Sequence, residues 1–247
     1  MDLTAPRAAL LDLDGTLLDT LQDLADAVNA ALQAQGLRTL PTDGFRLLVG
    51  TGARNLARLA TVQALRDAGA DEADAAERAE RLAPAVFRDF QDAYAVGWDR
   101  ATRPYAGVPE ALEALRGCGV PLGILSNKPD AFTKSVVARY FPGIPFATVC
   151  GERDGVPRKP DPASADAAKA AFGLSGREIA YIGDSGTDMA FAVAAGFLPV
   201  GVLWGFRDRA ELEASGAERL LADPREIPAL FAGASAADLR RQGGGGG

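Results

Sequence analysis

Leu10-Leu11-Asp12-Leu13-Asp14-Gly15-Thr16-Leu17-Leu18-Asp19 begins as an apolar run and ends in carboxylates, a glycine and a hydroxyl. With Arg7, Ala8 and Ala9 before it, the run predicts a short buried strand over residues 7–12. Such a strand should not end by pointing charges at nothing. A buried carboxylate is costly unless a metal, a hydrogen-bond donor or a counter-charge takes it up. The stretch therefore asks for a cation and a site.

Working outward, the 247 residues suffice for one large domain or a domain carrying an insertion. With 48% hydrophobic and 24% charged residues, the chain reads as an ordinary globular protein. A net charge of −7 argues against a nucleic-acid partner, since such proteins carry basic faces. Any anionic substrate must be drawn in by a locally positive pocket. No leader pattern opens the chain, and no apolar run approaches the ~20 residues of a membrane span. The expectation is a cytoplasmic protein, monomer or homodimer, with no membrane partner. Cys118 and Cys150 form no CxxC pair and read as two reduced core thiols. The chain has no histidine, so acid–base work falls on carboxylates, lysine or tyrosine, and histidine-ligated zinc is excluded. Of 26 basic residues only Lys128, Lys134, Lys159 and Lys169 are lysine, so a lysine in a motif position is informative.

Thr20 reads as a helix N-cap with Asp23 in a capping-box-like position. Leu21, Leu24, Val28 and Leu32 then recur at helical spacing. From there to about Trp98 the pattern is helical, with a long stretch from Glu72 to Tyr94 interrupted near Pro84. Its charges read as a solvated face. Beyond Arg103-Pro104-Tyr105, strands alternate with helices. Strands are predicted over 120–125, 147–150, 179–183, 198–203 and 218–221. Helices are predicted over 109–116, 130–140 with Asp130 as N-cap, 162–172 and 187–195. The fold class is α/β: a Rossmann-like, doubly wound parallel sheet with an inserted all-helical cap. The core is expected over 1–18 and 98–240, the cap over 19–97, and a flexible Gly-rich tail over 241–247.

In an open parallel sheet, ligands bind at the carboxyl ends of the strands. Four polar stretches fall at such ends: Asp12 to Thr16, Ser126-Asn127-Lys128, Lys159-Pro160-Asp161-Pro162, and Gly183-Asp184-Ser185-Gly186-Thr187-Asp188. Alone, each reads as a turn, a loop or a helix start. Together they describe one site, and its logic is phosphoryl transfer. Asp12, Asp14 and Asp184 cannot converge without a cation. Oxygen-only ligands suit Mg2+. Lys159 supplies positive charge for a phosphoryl group, and the Ser126 hydroxyl supplies a hydrogen bond.

These four stretches resemble the four motifs of the haloacid dehalogenase-like phosphatases, in order and in spacing. The resemblance covers the core and extends to the helical cap. It implies that Asp12 is a nucleophile forming an aspartyl-phosphate, and that Asp14 is the general acid and base. It implies that Ser126, Asn127 and Lys159 bind phosphate. Mg2+ would be held by Asp12, Asp14 through its carbonyl, and Asp184, with Asp188 supporting. The segments Thr102 to Val108 and Ser126-Asn127-Lys128-Pro129 resemble phosphoglycolate phosphatases, so the implied substrate is a small phosphorylated metabolite, 2-phosphoglycolate first. A carboxylate is already ionised at neutral pH and attacks without an activating base.

Other readings are a β-phosphoglucomutase-type mutase, in which the aspartyl-phosphate donates to a sugar, and a catalytically silent binder of the same fold. A dehalogenase would not need Asp14. Gly50-Thr51-Gly52-Ala53-Arg54-Asn55 fails as GxGxxG and as a P-loop. It reads as a loop into a helix, or as a cap loop in which Arg54 grips a substrate carboxylate. Trp204-Gly205-Phe206 follows a strand and reads first as aromatic core packing, with a border of the pocket as the alternative. The cap is expected to choose the leaving group by closing over it.

Overall fold

A computed structural model of the chain describes residues 5–232; the Gly-rich tail expected at 241–247 lies outside them. Six parallel strands form one sheet: β1 (Ala8–Leu11), β4 (Leu122–Pro129), β5 (Phe146–Glu152), β6 (Ile179–Gly183), β7 (Leu198–Val202) and β8 (Arg219–Leu221). Their order is β5-β4-β1-β6-β7-β8. Leu10 is opposite Gly123 of β4 on one side and Tyr181 of β6 on the other. All four residues of β1 are buried, as continuous apolar runs in a sheet covered on both faces should be. Strand order reverses at β1, so the chain leaving β1 emerges where a crevice opens between β4 and β6.

Connecting helices α4 (Val108–Gly117), α5 (Asp130–Tyr140), α6 (Asp166–Phe172), α7 (Gly186–Ala195) and α8 (Arg209–Ala214) complete the alternation. Leu10, Tyr181, Phe172, Phe191 and Phe197 form part of one apolar cluster, with Phe191 edge-on to Tyr181 at 4.8 Å. β4 runs past the expected Leu125 and carries Ser126, Asn127 and Lys128 before it ends at Pro129. Pro129, not Asp130, is the N-cap of α5. Asp130 Oδ1 instead accepts from Gly151 N at 2.9 Å and its Oδ2 pairs with Lys134 at 2.6 Å, a partner across the chain outcompeting the local cap. Cys150 is buried, but Cys118 is exposed where α4 ends, so only one of the two thiols is in the core.

The described chain divides into two compact units, one running through Leu17 and resuming at Pro104, the other spanning Leu18–Arg103. The second contains α1 (Leu21–Ala34), α2 (Ala53–Asp67) and α3 (Glu72–Gly97), with α3 packed on both of the others. Two-residue strands β2 (Leu18–Asp19) and β3 (Arg103–Pro104) pair where the chain enters and leaves it. The unit continues past residue 97 because Asp23 fastens its end. That buried carboxylate accepts from Ala101 N, Thr102 N and Thr102 Oγ1 at 2.7–3.0 Å. Asp23 is therefore not half of a capping box. Thr20 makes no capping bond and its buried Oγ1 has no partner, while Asp19 Oδ1 accepts from Leu21 N at 3.2 Å. Pro84 does not break α3, which runs through it. Ala79 before it and Val86 and Phe90 after it are buried, and their packing outweighs the local penalty. Arg78–Asp74 and Arg81–Glu77 pairs lie along the exposed face.

Candidate active site

The site is built at the carboxyl ends of β1, β4 and β6. Asp12 N donates to Ile182 O at 2.9 Å, which ties the residue after β1 to β6. The Asp12 side chain is 7% exposed, and its Oδ1 lies 2.8 Å from Lys159 Nζ, at ion-pair distance though not aligned as a hydrogen bond. Lys159 Nζ donates to Asp188 Oδ1 and to Tyr181 Oη, both at 2.7 Å. Tyr181 Oη in turn donates to Leu125 O at 2.9 Å. Asn127 closes the ring from β4: its Oδ1 accepts from Lys159 N and its Nδ2 donates to Lys159 O, both at 3.0 Å. Asn127 thus holds the backbone of the lysine, and its amide acts through Lys159.

Asp184 sits in the loop from β6 to α7. Thr16 Oγ1 donates to its Oδ1 at 3.3 Å and Phe206 N to its Oδ2 at 2.8 Å. Gly15 has φ +85°, and a Cβ there would lie 2.3 Å from Asp184 Oδ2, so only glycine lets the Asp12 loop approach so closely. Gly205 is under the same constraint from the other side, with a Cβ 2.3 Å from Asp184 Cβ. Asp188 starts α7 in a reciprocal capping box: Ser185 N and Oγ donate to its Oδ2 at 3.1 and 2.6 Å. Ser126 Oγ accepts from Lys128 N at 3.3 Å.

Oxygens of Asp12, Asp184 and Asp188 lie within 4.8 Å of one another, all buried. Lys159 is the one ammonium in their midst. Burial pushes Asp12 up to about 6, outweighing the pull of Lys159, and the charges of Asp188 and Asp14 add to the rise. Burial, then Asp188 and Asp12, push Asp184 well up against the Phe206 N–H and Arg207. Burial disfavours charge on Lys159, but Asp12 and Asp188 outweigh it and keep the ammonium protonated. Burial and the same carboxylates hold the Tyr181 proton in place. A compact set of hard oxygen donors with excess negative charge fits a divalent cation such as Mg2+. Asp188 accepts from the Lys159 ammonium and from Ser185 N and Oγ, whereas Asp184 accepts from two neutral donors alone, which makes Asp12 and Asp184 the side chains better suited to direct ligation.

Asp14 stands apart from that cluster. Its two oxygens face Lys128 Nζ at 3.1 and 3.2 Å. The structure thus brings Asp12, Ser126, Asn127, Lys159, Asp184 and Asp188 to neighbouring strand ends, and gives Asp14 its own cation. Arg54 belongs to the helical unit, near the start of α2, with its guanidinium 4.5 Å from the Phe87 ring centroid. Sequence reasoning missed Tyr181, which reads as one more apolar residue of β6. The 204–206 segment takes both of its readings: Phe206 is buried in the core, and the segment borders the site, with Trp204 Nε1 donating to Thr16 O at 3.0 Å and Phe206 N reaching Asp184. The signal available was glycine after a strand end between two aromatics, a mark of close backbone approach.

Comparison with known proteins bears on this geometry. A family model for haloacid dehalogenase-like hydrolases matches residues 6–196. A phosphoglycolate phosphatase from Pseudomonas putida KT2440 is 32% identical over 224 residues, covering 91% of this chain and 79% of that protein. One from Pectobacterium atrosepticum SCRI 1043 is 32% identical over 214 residues, 87% of each chain. The crystal structure of a predicted phosphoglycolate phosphatase from Haemophilus somnus 129PT superposes with a TM-score of 0.80 at 27% identity, covering 92% of this chain and 98% of that one. Among the described residues no helix is long and apolar enough to cross a membrane.

Proposed function

The chain belongs to the haloacid dehalogenase-like hydrolase family, and on that premise we propose that it is a Mg2+-dependent phosphatase that hydrolyses 2-phosphoglycolate through an aspartyl-phosphate on Asp12. The observation that carries the reading is the pair of carboxylates two residues apart in different electrostatic settings. Asp12 faces Lys159 and the acidic cluster, and Asp14 faces Lys128. Two acidic groups with different surroundings can take different roles in one reaction.

Asp12 is the nucleophile. One of its oxygens forms a bond to phosphorus as the bond from phosphorus to the ester oxygen breaks. Asp14 gives the departing oxygen a proton, then takes one from the water that attacks the aspartyl-phosphate. That second attack breaks the acyl-phosphate bond and returns Asp12 as a carboxylate with release of inorganic phosphate. Lys159 and the Ser126 hydroxyl hold the phosphoryl oxygens, and Tyr181 and Asn127 keep the lysine in place. Asp12 and Asp184, with Asp188 behind them, would hold Mg2+, which would neutralise phosphoryl charge when bound. The helical unit is read as the cap that admits the leaving group. The substrate assignment draws on the two curated relatives, both phosphoglycolate phosphatases.

The test is a kcat/KM screen over small phosphate esters with Mg2+, together with Asp12→Asn. Phosphoglycolate should rank first, and Asp12→Asn should lower kcat by roughly 1,000-fold or more. A sugar phosphate isomerised without release of phosphate would overturn the hydrolase reading, and full turnover by Asp12→Asn would overturn the covalent step.

A further inference from the structure

Lys128 enters the chemistry just described only as the cation beside Asp14, yet it is one of only four lysines and its side chain is 3% exposed. It donates to both oxygens of Asp14, whose side chain is 12% exposed. We infer that Lys128 selects substrates whose leaving group carries a carboxylate, by exchanging its ion pair with Asp14 for one with the substrate. This rests on the phosphatase reading above and deepens it toward one substrate class, short phosphorylated hydroxy acids.

Lys128 Nζ sits 3.1 and 3.2 Å from the two Asp14 oxygens, so while the pair stands both atoms able to pass a proton face the ammonium. To reach an ester oxygen, Asp14 must turn at least one of them away. Asp14 is a carboxylate facing the Lys128 ammonium, and a second anion brought to a nearly buried ammonium offsets the charge that a turned Asp14 takes away. A substrate carboxylate is that second anion, with the same charge and the same hydrogen-bonding geometry. The placement suits a two-ended molecule. Ser126, with its phosphate-binding hydroxyl, and Lys128 are two residues apart at the end of β4, and Lys128 N donates to Ser126 Oγ at 3.3 Å. A ligand with phosphate at one end and carboxylate at the other, a carbon or two between them, meets both. An ester with a neutral end leaves Asp14 and Lys128 paired, and its leaving oxygen goes without a proton.

The experiment compares 2-phosphoglycolate with 2-hydroxyethyl phosphate, a leaving group of similar size without the carboxylate. The kcat/KM of each is measured for the wild type, Lys128→Met and Lys128→Arg, with melting curves to check folding. The wild type should favour phosphoglycolate by about 100-fold, because a buried group built to pair with a substrate charge rejects an analogue lacking it. Lys128→Met should collapse that ratio to within a few-fold of unity, whatever it does to the rate common to both esters. Lys128→Arg should keep a reduced preference, since the charge stays but its geometry changes. Should Lys128→Met not fold, Lys128→Gln carries the test. Titration calorimetry in the Asp12→Asn background supplies a readout free of turnover, in which removing Lys128 weakens phosphoglycolate more than the neutral ester. Equal losses on both esters would show that Lys128 merely positions Asp14 and would overturn the inference. A wild-type preference for phosphoglycolate that survives Lys128→Met overturns Lys128 alone. A wild type that hydrolyses the neutral ester but not phosphoglycolate overturns the substrate assignment with it.

Discussion

Lys159 is held from three sides: Asp12 and Asp188 by charge, Tyr181 by its hydroxyl. Of these, Tyr181 is the one that adds no charge. Its proton stays on, because burial and the nearby carboxylates disfavour a phenolate, so Oη accepts from Lys159 while it donates to Leu125 O. Tyr181→Phe removes these bonds, together with the 3.2 Å contact of Oη with Asp188 Oδ1, and takes this donor from the Leu125 carbonyl. A stability loss of about 1–3 kcal/mol should follow, from the lost donor and the lost lysine contact. The ammonium would then be positioned by carboxylates alone, and kcat should fall about 10-fold with little change in KM, a loss worth ~1.4 kcal/mol in the transition state. Urea unfolding and steady-state kinetics on the same variant check both. A KM effect without a kcat effect would mean that Tyr181 serves substrate binding and not the lysine. None of this is visible in the sequence, where Tyr181 is one of five buried positions in a strand and its partners are 22 and 56 residues away.

Elements are easier to read than the bonds that join them. β1, β6 and β7 are legible because each is a short apolar run with a turn residue or polar group at its end, and burial on both faces demands that pattern. The ends of such strands are where charge must be explained, which singles out Asp12 and Asp184, whereas Lys159, seven residues past β5, and Asp188, inside α7, need the four stretches taken together and the family resemblance. What escapes is any bond whose partner lies far along the chain. Asp23 has the spacing of a capping box, but its partners are Ala101 and Thr102. Pro84 shows the same limit in reverse, since a proline signals a break and tertiary packing cancels it. Its ring crowds the carbonyl four residues back and it offers no N–H, a penalty of about 3 kcal/mol in a helix interior. Pro84→Ala should recover part of that, raising stability by about 1–3 kcal/mol. The urea midpoint should rise with an unchanged m-value; an unchanged or lower midpoint would mean the helix is built around the ring.

Across the whole molecule, the unbalanced charge of the site ties folding to pH and to the cation. Asp12 rises from 3.8 to about 6, burial prevailing over Lys159. A raised carboxyl means the folded protein keeps a proton that the unfolded chain has already released. Stability therefore falls as pH climbs from about 4 to about 6 and stays lower beyond, with a total from Asp12 on the order of 3 kcal/mol. Asp184, pushed well up by its burial, works in the same direction. Asp130 has the opposite sign. Burial opposes its charge, but Gly151 N and Lys134 prevail, and the stability they give is lost only as pH drops below the ordinary carboxyl value of 3.8. The two windows do not overlap. A divalent cation binds the ionised carboxylates, so its stabilisation must appear where protons no longer compete. In EDTA the Tm should fall between about pH 4.5 and about pH 7, and Mg2+ should raise it at neutral pH with little effect at the acid end. Asp12→Asn should make the EDTA profile shallower, because its side chain carries no proton to lose and the fall that remains is that of Asp184. A Tm that rises with pH through this window in EDTA, or a Mg2+ shift as large at the acid end as at neutral pH, would mean that the buried carboxylates are balanced within the protein and that the cation is held elsewhere.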